Sequence, residues 1–230
     1  MDNLSRRLQN IKENPVQYLD KPSITCLDLF LIGYLSTRTE LGLDIEGSGI
    51  EGFQEWIQNR EKTNVSQSWA RIILFLNGSE RSAFYDFFRL FDIFCEFKKA
   101  SCEEETQQKK QSIKNDFRYY LRQLYEFIGS IKKRPGMYLL TPSITRLDML
   151  LRGYTLARRE ADLVPTEEEK EFEGFQSWVQ EKYGINSGQS WSKIILFYSV
   201  DEDEALQKFF ELFEEYLNRN KNSDVDENSG

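Results

Sequence analysis

PSITCLD, residues 22–28, returns 120 positions later as PSITRLD, residues 142–148. Other matches continue along the chain, first at a shift of 120 and then, after a turn-rich stretch, at a shift of 122. They include the pairs Gly33 and Gly153, Tyr34 and Tyr154, Gly52 and Gly174, Gln54 and Gln176, Trp56 and Trp178, Trp69 and Trp191, and Phe87 and Phe209. A fixed shift over this length indicates a tandem duplication of one structural unit.

The duplication predicts two homologous domains and places their limits. Copy 1 is expected over residues 1–99 and copy 2 over residues 112–220, with a charged linker at residues 100–111. The shift changes within residues 41–49, a turn-rich stretch of the kind in which insertions are tolerated. Residues 221–230 are almost entirely polar, which predicts a disordered tail.

Apolar side chains within each copy recur at the spacing of an α-helix. In copy 1, Ile24, Leu27, Leu31 and Tyr34 follow one another at steps of three and four, which places them on one broad helical face. Ser23 stands directly before them, in the position of an N-cap. We therefore predict an all-α protein made of two tandem helical domains with about five helices each.

The apolar run at residues 72–76 leaves an alternative open. Five consecutive apolar side chains are also typical of a buried β-strand, and periodicity alone does not separate the two, so short strands are not excluded. Aromatic side chains of the repeat lie at helical spacing among aliphatic ones, which predicts that they belong to the core. They include Phe53, Trp56, Trp69, Phe75, Phe87 and Phe88.

A glycine precedes a tyrosine in the middle of the first long helix predicted for each copy. These glycines are Gly33 and Gly153. Because glycine has no side chain beyond hydrogen, another helix can approach the backbone closely at such a position. We expect a tight helix contact there.

The composition excludes several kinds of catalytic site. The 230 residues contain no histidine. A Ser-His-Asp or Cys-His nucleophile, a histidine general base and a zinc site with imidazole ligands are therefore impossible within this chain alone. The sequence contains no glycine-rich phosphate loop of the Walker type and no metal-binding motif. We expect a protein that is not an enzyme and that uses no cofactor and no metal.

Two acidic positions recur in both copies and are candidate catalytic or cation-binding residues. They are Asp28 with Asp148, and Glu40 with Glu160. Paired carboxylates can perform acid-base catalysis or bind a hard cation, but the sequence does not place these around a substrate. We expect each to pair with a nearby base, such as Arg38 or Arg158, or to lie on a solvated face.

The charge and cysteine content indicate a cytoplasmic protein with a protein partner. Asp and Glu exceed Lys and Arg by 38 to 30, a net charge of −8, which argues against a nucleic-acid binder and is compatible with a basic protein partner. The 3 cysteines show no CxxC spacing and fit a reducing compartment. No apolar stretch is long enough for a signal peptide or a membrane span, so we expect no membrane association.

A longer set of residues in copy 2 resembles a known group of proteins. RPGMYL at residues 134–139, then Gly153, Trp178, Ser190 and FFEL at 209–212, is similar to a group of small, largely uncharacterised bacterial proteins of one domain each. The resemblance covers nearly all of copy 2, and copy 1 is a diverged version. It implies a cytosolic accessory or immunity-type protein that accompanies polymorphic toxins, and it brings no catalytic residue.

These observations lead to two hypotheses of function. The first is an immunity protein that neutralises a bacterial toxin domain by occluding its active site. Charge complementarity favours a basic toxin domain as the partner. The second is a structural or regulatory adaptor that uses the cleft between the two repeats. Acids on predicted exposed faces are the candidate partner-binding residues, namely Glu167, Glu168, Glu169, Asp201, Glu202 and Asp203. The sequence leaves the oligomeric state open.

Overall fold

The computed structural model describes residues 3–43, 50–63, 66–104 and 123–219. Within these ranges the chain forms twelve helices and no strand, which confirms the prediction of an all-α protein. The apolar run at residues 72–76 belongs to a helix, so the strand alternative is wrong.

The helices occur in the same order in the two copies. Copy 1 contains α1 (Asn3–Glu13), α2 (Pro15–Leu19), α3 (Ile24–Glu40), α4 (Phe53–Arg60), α5 (Trp69–Asn77) and α6 (Glu80–Glu104). Copy 2 contains α7 (Leu124–Lys133), α8 (Pro135–Leu139), α9 (Ile144–Glu160), α10 (Glu167–Tyr183), α11 (Trp191–Phe197) and α12 (Glu202–Asn218). The short helices α2 and α8, each begun by a proline, raise the number per copy from the expected five to six.

The chain divides into two compact units. Unit 1 comprises Met1–Tyr120 together with Arg152–Arg158, and unit 2 comprises Leu121–Leu151 together with Arg159–Gly230. Most of the predicted linker, and the predicted tail at residues 221–230, lie outside the described residues. The domain limits derived from the duplication therefore remain predictions.

Side-chain caps begin several helices, among them α3 at the N-cap that the sequence predicts. Ser23 accepts a hydrogen bond from the backbone N–H of Cys26 and so caps α3. Asp201 caps α12 by accepting from the backbone N–H groups of Asp203 and Glu204. The carboxylate of Glu204 accepts from the backbone N–H of Val200, rather than from that of Asp201 as in a standard capping box.

Unit 1 has a core built around one phenylalanine. The ring of Phe53, the first residue of α4, is fully buried. Five other rings lie around it, with centroids 5.4 to 5.8 Å away. They belong to Trp56, Trp69, Phe87, Phe91 and Phe94. Edge-to-face and offset contacts of this kind add to the free energy gained by burying the rings.

Unit 2 repeats this arrangement around Phe175. Its ring is fully buried, and the five equivalent rings lie with their centroids 5.4 to 5.9 Å away. They belong to Trp178, Trp191, Phe209, Phe213 and Tyr216. Each stands 122 positions after its counterpart in copy 1. The helices that carry these rings are therefore held by the same contacts in both copies.

The expected close helix approach is confirmed at Gly153. Residues 152–158 of α9 belong to unit 1, and there Gly153 lies against the backbone of α3. A Cβ atom at this position would lie 2.1 Å from the carbonyl oxygen of Phe30 and 2.8 Å from the nitrogen of Tyr34. Only glycine fits such a contact, because the atoms it would meet belong to the backbone.

Candidate functional site

The end of α5 presents a phenylalanine to solvent. Phe75 is 87% exposed, so its predicted place in the core is wrong. Ala70, Ile72 and Ile73 are the buried residues of α5. With about 100° of rotation per residue, Phe75 lies about 200° around the helix from Ile73, on the opposite face. Five consecutive residues extend around more of the helix than its buried face, so at least one of the apolar side chains must point outward. Periodicity could not show which one.

The end of α11 repeats this exposed phenylalanine. Phe197, 122 positions after Phe75, is 77% exposed, while Ile194 and Ile195 of the same helix are buried. The next apolar side chains along the chain, Tyr198 and Val200, are exposed as well. A single exposed apolar side chain is ordinary, but a contiguous exposed group is typical of an interaction surface.

Phe75 borders an open groove, which we call groove 1. It lies between the outer face of α5 and the chain that follows α4, and its volume is about 470 Å³. Its lining consists of Glu61, Thr63, Gln67, Arg71, Ile72, Phe75 and Leu76. Groove 1 thus combines an apolar floor and wall with one cation and one carboxylate.

Phe197 borders the corresponding groove of unit 2, which we call groove 2. It lies between the outer face of α11 and the chain that follows α10, and its volume is about 340 Å³. Its lining consists of Ile185, Ser187, Gln189, Lys193, Ile194, Phe197 and Tyr198. The rings of Tyr183 and Tyr198 stack at 4.7 Å beside it, so groove 2 has a more aromatic border than groove 1.

Four positions of the two grooves keep the same kind of side chain at a shift of 122. These pairs are Gln67 and Gln189, Arg71 and Lys193, Ile72 and Ile194, and Phe75 and Phe197. Other positions have diverged: Thr63 corresponds to Ile185, and Leu76 to Tyr198. The retained set consists of an amide, a cation, an aliphatic floor and an exposed ring.

A glutamine side chain fixes the chain that forms one end of groove 1. The Oε1 atom of Gln54 accepts from the backbone N–H of Trp69 at 2.6 Å, and its Nε2 donates to the carbonyl of Gln67 at 3.0 Å. Gln176 makes the same two bonds in copy 2, to Trp191 at 2.7 Å and Gln189 at 3.1 Å. The entry into α5 and α11 is therefore held rigidly where each groove begins.

A glutamate that the sequence did not single out ties α6 to α3 in unit 1. Glu80 accepts from the hydroxyl of Ser23 at 2.7 Å, the hydroxyl of Thr25 at 2.6 Å and the N–H of Thr25 at 3.0 Å. These bonds place a carboxylate at the N-terminus of α3, where the helix dipole favours negative charge. We call this arrangement the glutamate clamp.

Glu202, one of the six candidate partner-binding acids, forms the same clamp in unit 2. It accepts from the hydroxyl of Ser143 at 2.7 Å, the hydroxyl of Thr145 at 2.7 Å and the N–H of Thr145 at 3.0 Å. Its carboxylate is therefore engaged within the fold. Recurrence of the acid at a shift of 122 is the sequence signal that could have identified the clamp.

Three more of the six acids hold helix N-termini. Glu169 forms a capping box with Thr166 at the start of α10. Glu168 accepts from the N–H of Tyr125, the second residue of α7, at 2.9 Å. Asp201 is the N-cap of α12.

The two remaining acids are exposed. Glu167 forms an ion pair with Lys170 at 2.7 Å, and the side chain of Asp203 has no hydrogen bond or ion pair with any described residue. None of the six acids lines groove 1 or groove 2.

The recurring acids Asp28 and Asp148 are both buried, at 4% exposure each. The hydroxyl of Ser192 donates to Asp148 at 2.6 Å, and that of Ser68 donates to Asp28 at 3.3 Å. The expectation of a solvated face is wrong for this pair. The hydrogen bonds give each carboxylate a structural role at the start of α5 or α11.

A polar cluster specific to unit 2 joins α7, α10 and α12. The hydroxyl of Tyr125 donates to the carboxylate of Glu171 at 2.8 Å, and Arg219 lies 3.1 Å from the other carboxylate oxygen. Burial, reinforced by the negative charge of Glu171, raises the pKa of Tyr125 well above its usual value. Burial also raises the pKa of Tyr216, whose hydroxyl donates to the backbone carbonyl of Glu171 at 2.6 Å.

The described part of the chain contains no cluster of three acidic or cysteine side chains arranged to hold a metal ion. None of its helices has both the length and the hydropathy needed to cross a bilayer. Comparison with protein-family models, with curated proteins and with solved structures gave no match for this chain.

Proposed function

We propose that this chain is a non-enzymatic protein-binding protein that holds its partner at groove 1 and groove 2. One observation carries the proposal: Phe75 and Phe197, at equivalent positions of two diverged copies, are both exposed and both border an open groove. The other aromatic residues shared by the two copies are explained by the core. These two are not, because they contribute little to it.

The energetics of burial support a binding role for the two phenylalanines. Covering a phenylalanine side chain removes enough apolar area from water to gain about 1.5–3 kcal/mol. Phenylalanine, like other aromatic residues, is enriched in the cores of protein interfaces. Arginine and tyrosine are among the residues that dominate binding energy there. Arg71 stands beside Phe75, and Tyr198 beside Phe197.

The immunity hypothesis is a specific form of this function. The net charge of −8 favours it, because a toxin domain that cleaves nucleic acid must be basic to hold its substrate. The resemblance of copy 2 to immunity-type proteins favours it as well. Under this hypothesis the protein acts in the cytoplasm, and its co-expression with the neighbouring gene's product should protect cells from that product. A partner that is not toxic would favour the adaptor.

Site-specific photo-crosslinking tests the binding proposal. A photoreactive benzoylphenylalanine is placed at Phe75 or at Phe197, and in a control chain at Val164, which is 80% exposed and lines neither groove. We expect a discrete protein adduct from the two groove positions and none from the control position. The captured protein is then purified and measured for binding to the unmodified chain.

The second step decides the outcome. The purified partner should bind the wild-type chain and should fail to bind a folded chain that carries both Phe75→Ser and Phe197→Ser. Adducts that form equally from all three positions, or a partner that binds the doubly substituted chain as well as the wild type, would contradict the proposal.

A further inference from the structure

We propose that each groove recognises a partner segment in which an apolar side chain stands beside a carboxylate, and that groove 2 binds this segment more tightly than groove 1. The inference rests on the proposed function and specifies the chemistry of the ligand.

The retained cation indicates the carboxylate. Copy 1 has Arg71 and copy 2 has Lys193 at the same position of the groove. Arginine and lysine share their positive charge but differ in hydrogen-bonding geometry, so the property that both copies keep is the charge. In groove 1 the Nη1 of Arg71 donates to Gln67 Oε1 at 3.1 Å, which holds the guanidinium at the border of the groove.

The retained apolar residues indicate the neighbouring side chain of the ligand. The cation precedes the exposed phenylalanine by four positions on α5 and on α11, so the two side chains lie on one helical face about 5–6 Å apart at Cβ. The isoleucine that follows the cation, Ile72 or Ile194, also lines the groove. A ligand that uses all three must present its apolar group and its negative charge at a similar separation.

The residues that differ indicate which groove binds more tightly. Glu61 lines groove 1 and would repel a ligand carboxylate, although its ion pair with Arg60 at 3.2 Å reduces the repulsion. The equivalent position in copy 2 is Tyr183, which stacks on Tyr198. No acidic side chain is among the described residues that line groove 2. Groove 2 therefore has a lining that is proportionately more apolar than that of groove 1, and this lining contains no acid that would oppose a ligand carboxylate.

Peptide selection on single-groove chains tests this inference. A phage library of random 12-residue peptides is panned on a Phe75→Ser chain, which keeps groove 2, and on a Phe197→Ser chain, which keeps groove 1. We expect the enriched peptides to carry Asp or Glu within four positions of a large apolar residue. A synthetic copy should bind groove 2 about tenfold more weakly after Lys193→Glu and nearly unchanged after Lys193→Arg. Glu61→Tyr should tighten its binding to groove 1 about threefold to tenfold.

The possible failures are distinguishable. Selected peptides that lack acids, or whose binding does not change on Lys193→Glu, would overturn the carboxylate assignment while leaving the proposed function in place, provided that their binding still requires Phe75 or Phe197. Tighter binding to groove 1 would overturn the predicted order of affinity. If neither groove selects peptides, or if the selected peptides bind without both phenylalanines, the proposed function itself is contradicted.

Discussion

The two copies of the repeat have the same core and differ where α4 and α10 begin. Helix α4 has 8 residues and α10 has 17, although both carry the central phenylalanine of their unit. The longer helix starts at Glu167 with a complete capping box, ahead of the position at which α4 begins in copy 1. The change of shift from 120 to 122 falls just before these helices.

One glycine shows how the same residue serves two different purposes in the two copies. Gly52 is the N-cap of α4 and has a left-handed backbone with φ of +84°. Gly174, its equivalent, lies within α10, and a Cβ atom there would come within 2.5 Å of the Tyr216 hydroxyl. In copy 1 glycine is required by the backbone conformation, and in copy 2 by the close side chain.

The comparison teaches which features the duplication has retained. The ring cluster, the glutamine bonds and the glutamate clamp recur because each holds buried helices together. Phe75 and Phe197 recur without being buried. Stability alone explains the first group and does not explain the two exposed phenylalanines, which is why we propose that they bind a partner.

The largest expected effect comes from removing the centre of either ring cluster. Phe53→Ala and Phe175→Ala should each destabilise their unit by about 3–5 kcal/mol, because each leaves a cavity among at least five rings. Urea unfolding followed by tryptophan fluorescence measures both. Losses that differ between the two variants by more than about 2 kcal/mol would contradict the equivalence of the cores.

The glutamate clamp should give the next largest effect. Glu80→Gln and Glu202→Gln should each cost about 1–3 kcal/mol, because an amide cannot accept all three hydrogen bonds that the carboxylate accepts. Glu211→Gln, an exposed position on α12, is the matched control and should change stability by less than about 0.5 kcal/mol. If Glu202→Gln leaves stability unchanged, the structural role assigned to this acid is wrong.

The two glycines provide a smaller and more selective test. Gly52→Ala should lose about 1–2 kcal/mol from the strained backbone. The free energy of unfolding lost on Gly174→Ala should instead depend on Tyr216. This loss should be about 1 kcal/mol smaller in a Tyr216→Phe chain than in the wild type. Denaturant unfolding of the four chains in this double-mutant cycle checks the coupling. Purely additive effects would mean that the hydroxyl is not the obstacle.

The smallest effect concerns alkaline pH and the Tyr125 hydroxyl of unit 2. The pKa of Tyr125 is higher in the folded state than in the unfolded state, where it is near 10. The protonated hydroxyl therefore stabilises the folded state below about pH 10, and this stabilisation is lost as pH rises toward the pKa of the folded state. Partial exposure limits the loss at pH 11 to a few tenths of a kcal/mol. Tyr125→Phe should therefore flatten the decrease in stability between pH 9.5 and 11. A steeper decrease in the variant would contradict the assignment.

Much of the fold was predictable because it depends on local sequence. Helical spacing in segments such as 24–34 and caps such as Ser23 and Asp201 are properties of a few neighbouring residues. The duplication added a second instance of each. Gly153 could be predicted as a point of close approach because a glycine in mid-helix costs stability unless packing requires it.

The candidate site could not be predicted from local sequence. Its key residue, Phe75, belongs to a five-residue apolar run in which every member looks equally suited to the core, and only the packed helix shows which one faces solvent. Glu80 lies 55 positions from Thr25, so the clamp depends on a tertiary contact. Charge alone favoured the six acids, but four of them are used to hold helix N-termini.

The most direct test of the binding account measures the affinity of the crosslinked partner for four chains. These are the wild type, Phe75→Ser, Phe197→Ser and the double variant, compared by calorimetry at equal thermal stability. We predict that each single change weakens binding at least about tenfold, in line with the burial energy of one ring, and that the double change abolishes it. A double variant that is fully folded and binds as tightly as the wild type would contradict the account.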